Sequence, residues 1–397
     1  MPSSNTIITP SIIAKEALFQ LRNNLVMGNL VYRDYKKEFR KVGDTVTIRK
    51  PVQFTASNGA TRVIQNVVET STSIKVDQQK HVSWDFSMKD LTLSVEEYST
   101  RYIVPAAVAL AQQVDADLCM LYKDIYLASG TAGTTPNAYS NFGAAAQKMS
   151  EFAVPYNDRK CVTNPAAHWS MADALKGVFE PNRVKGIIEK GVIGNVAGFD
   201  TFEDQNIMQH VAGVPGGSPV VNTSTGITSG SANIAITAAA NSQTPAYKKG
   251  DVITIVGVNA VNPKSKADLG YLMQFVFTAD ANSDGSGNVT AIVSPTPVTA
   301  AGAYQNCVVN SAGAGKAVVL LANHSANLCF HPNTFALVMV PLEVPDGAAF
   351  KAQESYENLS ITVVKDFDIT NYVDIIRLDI LYGVKTVYPD LGLRLLG

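Results

Sequence analysis

The sequence predicts an α+β fold interrupted by a small inserted β-barrel, and three observations carry that reading. Apolar residues recur every three to four positions in two well-separated stretches, the mark of amphipathic helices. Other stretches alternate with a period of two, as half-buried strands do. Between Gly213 and Leu328 the composition changes: Ser, Thr, Ala, Val, Gly and Asn dominate, nine charged residues remain, and neither Glu nor Arg occurs.

The first helix is expected from Pro10. Thr9 can cap it, Pro10 suits the first helical position, and Ile13, Ala17, Leu21 and Leu25 fall on one face. From Gly43 the period becomes two, through Val46, Ile48, Val52 and Phe54, and a matching strand is expected at Val82, Trp84 and Phe86. The polar run TASNGATRVIQNVVETSTS between them reads as the distal part of a long exposed hairpin. Such a hairpin cannot bury its own faces, so it is expected to lie against another chain.

Ser94 and Glu97 form a capping box, and Leu110, Val114, Leu118, Leu121 and Ile125 continue a helical stripe toward Ser129. Pro105 should kink this longest helix or mark its restart. A further helix is expected in VTNPAAHWSMADALKGVF, capped by Asn164 and opened by Pro165. Inside the shifted region, DVITIVGV, LMQFVFTAD, VTAIVSP and AVVLLA are short strand patterns between turn residues, as in a small barrel or sandwich. FHPNTFALVMV, LSITVVKDFDI and VDIIRLDILYGVKTVYPDLGLRLLG then follow with ordinary charge content. The host domain is therefore expected to be split around an insertion.

Composition narrows the function. Charged residues are 17% of the chain and the formal net charge is -2, so no global basic field marks a nucleic-acid binder. Cys119, Cys161, Cys307 and Cys329 show no CxxC pair and read as reduced thiols of a cytoplasmic protein. No basic and apolar leader pattern opens MPSSNTIITPS, and no run of about 18 apolar residues occurs. A soluble chain with no membrane partner is expected.

No motif supplies a reaction centre. NSAGAGKAVV places Asn310 and Ala317 where a phosphate-binding loop needs Gly and Ser or Thr. DANSDGSGNVTA starts like a calcium loop at Asp280, Asn282, Asp284 and Gly285, but its twelfth position is Ala291, so an Asp-Gly hairpin turn is the better account. His324, Cys329 and His331 straddle the start of an apolar strand with no fourth zinc ligand nearby. GVIGNVAGFD has the wrong glycine spacing for a dinucleotide fingerprint, and its glycines read as turn positions. His81, His168 and His210 stand in a strand, a helix and a loop, without a nucleophile signature. No enzyme activity, cofactor or metal is expected. The one basic cluster, YRDYKKEFRKVGD, mixes signs, which favours a solvated linker or inter-chain salt bridges over nucleic acid.

Five segments in order, VTNPAAHWSMADALKGVF, GNVAGFDTFEDQNIMQHVAG, YKKGDVITIVGVNAVNPKSKADLGYLMQFVFTAD, LCFHPNTFALVMVPLEVP and DIIRLDILYGVKTVYPDLGLRLLG, resemble the major capsid proteins of tailed double-stranded-DNA bacteriophages, which share the Hong Kong ninety-seven capsid fold. The resemblance is to the branch of the coat protein of Salmonella podovirus P-twenty-two, whose capsid fold carries an inserted β domain. It spans essentially the whole chain. It implies an N-terminal arm over 1–41, an extended loop and peripheral strands over 42–88, and a spine helix with peripheral domain over 89–161. It further implies an axial domain over 162–212 and 329–397, and an inserted β-barrel domain over 213–328. Within the insertion, Asn259 to Gly270 matches a long loop that meets a two-fold-related neighbour. Arg33, Lys36, Lys37 and Arg40 in the basic cluster, with Lys264, Lys266 and Asp268 in that loop, are the expected inter-subunit contacts.

The resemblance implies hexamers and pentamers of one icosahedral shell, with a scaffolding protein, a portal protein and packaged DNA as partners. A shell protein needs many modest self-contacts and no active site. No covalent crosslink between chains is expected. The competing expectation is a phage decoration or tail-associated protein that uses its β domain for recognition.

Overall fold

The computed structural model describes residues 10–34, 45–50, 69–87, 99–175, 193–222, 227–309, 315–343, 350–370 and 373–397, with isolated positions between them. Contacts divide the chain into two units. The first holds Met1–Arg49, Ser71–Leu118 and Phe335–Val387; the second holds Lys50–Thr70, Cys119–Thr334 and Tyr388–Gly397.

The first unit is built on a five-stranded antiparallel sheet. Its centre is the long strand Val373–Thr386, flanked on one side by Leu359–Asp368 and then Phe350–Tyr356. Gln78–Ser87 takes its other side, and Phe335–Met339 continues the first side beyond Leu359–Asp368, opposite Tyr382–Thr386. The helix Pro10–Asn24 packs on the Phe350–Tyr356 and Leu359–Asp368 strands through Ile13, Ala17, Leu18 and Leu21, the face its periodicity marked. Asp115, 1% exposed, ties down the chain beyond this helix: its carboxylate accepts the Val26 and Gly28 amides at 2.6 and 2.8 Å.

A separate two-stranded ribbon corrects the expected hairpin. Thr45–Arg49 pairs with Ser71–Lys75, whereas Gln78–Ser87 pairs with the long central strand. STSIK has one buried apolar residue, Ile74, so its own period is hidden in the sequence. Val82 and Trp84 alternate with exposed residues and find a partner in IIRLDIL. The capping box at Ser94 and Glu97 lies outside the described residues. The long helix starts with one π-type turn, Ser99–Ile103, and becomes α-helical over Val104–Cys119, so Pro105 falls at the restart where its missing N–H leaves no gap. The helix does not reach Ser129 as expected. It tightens to a 3₁₀ turn over Met120–Asp124, and Ala128–Ser129 is a strand. Arg101–Asp124 is long and apolar enough to suit a bilayer, but Ile103, Ala107, Leu110, Ala111, Val114 and Leu118 are buried by protein, as in a core helix.

The second unit contains two larger sheets. A six-stranded mixed sheet runs Ala128–Ser129, Gly392–Leu395, Asn327–Phe330, Lys160–Thr163, Phe199–Glu203, Asn195–Val196, with the helices Tyr139–Glu151 and Pro165–Leu175 beside it. Asn164 caps the second helix by accepting the Ala167 amide at 2.9 Å, as its sequence indicates. A seven-stranded antiparallel sheet lies within residues 220–320, with Val252–Val261 and Asp268–Phe277 as its longest strands. It curls into a ring: Val221 donates to Lys316 and Val318 donates to Pro219 at 2.9 Å each, joining the Val318–Leu320 strand back to the Val220–Val221 edge. Ile234, Ile236, Ile253, Ile255, Phe275, Phe277, Val289 and Val293 fill the ring, alternating with outward residues.

The chain leaves for the ring through Gln209–His210 and returns through His324–Ser325. These two short strands pair antiparallel, with His210 opposite His324, and so form a neck.

Candidate assembly surface

The seven expected contact residues divide three ways. Lys36, Lys37 and Arg40 lie outside the described residues. Arg33 is half-buried beside Asn29, to which it donates at 3.3 Å, and burial lowers the pKa of its guanidinium. In the other cluster, Val252–Val261 and Asp268–Phe277 are strands, so Asn259 to Gly270 is largely a hairpin whose turn covers residues 262–267. Asn262 folds that turn, accepting the Lys264 and Ser265 amides at 2.9 Å. Lys266 is bonded within the chain: its ammonium donates to the Ala303 and Gln305 carbonyls at 2.6 and 3.2 Å. Asp268 is also engaged within the chain, by Asn259 and the Gly270 amide. Lys264 is exposed at the tip.

The motifs weighed for chemistry resolve into turns and core. Asp284 accepts the Ser286 and Asn288 amides at 2.8 Å, and these hydrogen bonds hold its carboxyl below the usual carboxylate range. That loop joins strands that pair antiparallel through Val276 and Phe277, the hairpin its Asp-Gly step implies. In GVIGNVAGFD, Asn195–Val196 and Phe199–Glu203 form a hairpin in which Ala197 and Gly198 both have positive φ, and a Cβ on Gly198 would meet Tyr156 Oη at 2.9 Å. Cys329 faces Cys161 across paired strands, His331 lies beyond, and His324 belongs to the neck; among the described residues no three potential ligands converge on a metal position. All four cysteines are buried thiols, and burial pushes Cys307 up to about 11.

The neck carries a polar cluster that no local sequence signal marks. His210, expected in a loop, is a buried strand residue whose Nε2 donates to Asp251 at 2.7 Å. Its Nδ1 accepts from Tyr122 Oη at 2.9 Å. Asp251 also accepts the Gly213 and Lys248 amides. Arg394, fully buried, donates through Nε to the Ile125 carbonyl at 3.0 Å and through Nη1 to His324 Nε2 at 3.3 Å, with its guanidinium 5.1 Å from the Tyr122 ring. Burial lowers Arg394 to about 10. These groups bond to one another and to the backbone, so they organise structure.

Surface features suit contact with other chains. Tyr139, Tyr156 and Trp169 are each more than half exposed. The two tyrosines border a cleft of about 510 Å³, floored by Ala146, Val196 and Gly198.

A family model described as "P22 coat protein - gene protein 5" matches residues 1–397. The chain belongs to the P22 coat protein family. Solved structures similar to this coat protein include one titled Mycobacterium phage Che8, at 16% identity and TM-score 0.47, with 93% of this chain and 90% of that chain covered. Others are the capsid of Cyanophage P-SCSP1u, at 10% identity, TM-score 0.48 and 94% and 88% coverage, and the capsid of Ralstonia phage GP4, at 9%, 0.46, 93% and 87%. No curated protein matches the sequence. As a member of the family, this coat protein is a major capsid subunit: copies of it form the icosahedral shell of a virion. Its role is structural.

Proposed function

We propose that this coat protein assembles in the host bacterial cytoplasm under the direction of a scaffolding protein, as hexamers and pentamers around a portal, and encloses double-stranded DNA without reading its sequence. The family match over residues 1–397 carries the proposal. In it, residues 1–41 act as an arm, 42–88 as an extended loop with peripheral strands, and 89–161 as spine and peripheral domain. Residues 162–212 and 329–397 form an axial domain split by the insertion 213–328.

Two physical features support this reading. A net charge of -2 on 397 residues limits like-charge repulsion among many copies and gives packaged DNA no strongly basic wall to adhere to. The narrow ribbon of Thr45–Arg49 and Ser71–Lys75 is too small to bury its own faces and gains stability from a neighbour. At the tip of the 262–267 turn Lys264 is the cation available to another subunit, while Lys266 and Asp268 shape the turn from within. Arg33, Lys36, Lys37 and Arg40 would pair with acidic groups of adjoining chains.

Electron microscopy of particles from cells expressing the chain with and without its scaffolding partner tests the proposal. Uniform closed shells with the partner, and aberrant shells or monomers without it, are expected. Equally uniform shells in both conditions would remove the scaffold from the scheme.

A further inference from the structure

We propose that Tyr122, His210, Asp251, His324 and Arg394 form a proton-operated latch that holds the neck closed while His324 is neutral and opens it when His324 takes up a proton. The location makes it a latch. The neck is where residues 211–323 leave and rejoin the rest of the second unit, and its strands are tied by the His210–His324 and Gln209–Ser325 pairs, by Ala326 N to Met208 O at 3.0 Å, and by the Asn323 side chain, whose Oδ1 accepts the Ala212 amide at 2.8 Å. The cluster bolts both neck strands to elements on either side. Asp251, immediately before the long ring strand Val252–Val261, holds His210 from one side. From the other, Arg394 on the strand Gly392–Leu395 holds His324, and Tyr122 on the Met120–Asp124 turn holds His210.

Hydrogen-bond direction fixes the protonation states. His324 Nδ1 donates to the Ala322 carbonyl at 2.8 Å, which leaves Nε2 bare to accept from Arg394. A second proton would fall on that nitrogen, cancel the acceptor, and set an imidazolium against a guanidinium. One nitrogen of Arg394, Nη2, has no partner among the described residues, so the loss of His324 as acceptor would leave a second guanidinium nitrogen unsatisfied.

The charged and titratable groups that act on His324 are Arg394 on the last strand, His210 across the neck and Asp251 ahead of the ring strand; Tyr122 bonds His210, and Asp124 acts on Arg394. Burial first, then Arg394 and His210, depress His324 from 6.5 to about 4, against the opposing pull of its hydrogen bond to the Ala322 carbonyl and, more weakly, of Asp251. A histidine depressed in the closed state is freer to bind a proton once the neck opens. Opening therefore becomes easier as pH falls below 6.5 and levels off near 4, by roughly 300-fold in total.

Hydrogen–deuterium exchange of the full chain at about pH 7.5 and 4.5, corrected for intrinsic rates, tests this. Neck amides over 208–213 and 322–326 should lose protection by roughly 70-fold, with the Val373–Thr386 sheet as internal reference. His324→Gln keeps an uncharged acceptor and should flatten the response to within about threefold. Neck protection in the wild type that tracks the reference sheet, or a His324→Gln chain that opens in acid like the wild type, overturns the latch. The His324 imidazole titration, read by NMR on labelled wild-type chain, stands independently of that variant. A midpoint below about 5 supports the latch, and one near 6.5 overturns it.

Discussion

Asp115 gives the sharpest stability prediction. Its carboxylate is 1% exposed and spans 87 to 89 residues of sequence to accept the Gly28 and Val26 amides, pinning the N-terminal segment to the long helix. Hydrogen bonds to a charged acceptor contribute about 1.5 to 3 kcal/mol each, so Asp115→Ala should cost about 3 kcal/mol or more, a roughly 150-fold rise in local opening. Asp115→Asn preserves shape and one oxygen but turns an NH₂ toward a backbone N–H, so it should fall between, near a tenfold rise. Amide exchange across residues 13–31 at neutral pH reads both, with the ring amides at 252–261 as a control that should not move. Protection in Asp115→Ala within about threefold of the wild type would refute the reasoning, since two desolvated donors would then have found other partners at no cost.

Two further outcomes are expected. Lys148 donates to the Ala128 carbonyl and Gln274 Oε1, and burial lowers its pKa from 10.5 to about 8 despite the nearby Glu151. The unfolded chain thus binds the extra proton between those values, so stability should rise with pH by about 2 kcal/mol from pH 7.5 to 9.5, and Lys148→Met should lose that rise in paired urea titrations. Gly383 passes so close to the segment at Lys75 and Val76 that a Cβ would clash with the Lys75 carbonyl oxygen. Gly383→Ala should cost about 3 kcal/mol, seen as a lower soluble yield and lost protection over 373–386, whereas Gly285→Ala, with open space around it, should change neither.

Local chemistry was legible in the sequence, and long-range pairing was not. The buried face of Pro10–Asn24, the Asn164 cap, the Asp284 turn and the glycine hairpin at 195–203 each rest on residues within a few positions of one another, where period and turn chemistry suffice. Ser71–Lys75 was missed because a ribbon strand with one buried side chain shows no alternation. The end of the long helix was missed because Leu121 and Ile125 extend its apolar period past the point where the backbone tightens. The internal bonds of Lys266 were not legible because sequence does not reveal the two carbonyls that receive it. The neck cluster was invisible for a different reason: Tyr122, His210, Asp251, His324 and Arg394 are single polar residues in unrelated segments, joined only by the fold.

The paired ends of the ring also bear on the order in which the chain organises itself during synthesis. Every strand of the ring lies within 220–320 and reaches the growing chain before Asn327–Phe330, the strand near the middle of the six-stranded sheet. That sheet needs strands drawn from 128–203, from 327–330 and finally from 392–395. Left unstructured, more than a hundred residues would have to be looped out before Asn327–Phe330 met Lys160–Thr163. Once the ring has closed on its own contiguous residues and the neck has zipped, the same two segments are brought near through a short connection. The ring thus turns one long-range encounter into a sequence of nearer ones, and Gly392–Leu395, made after the sheet's other strands, completes it.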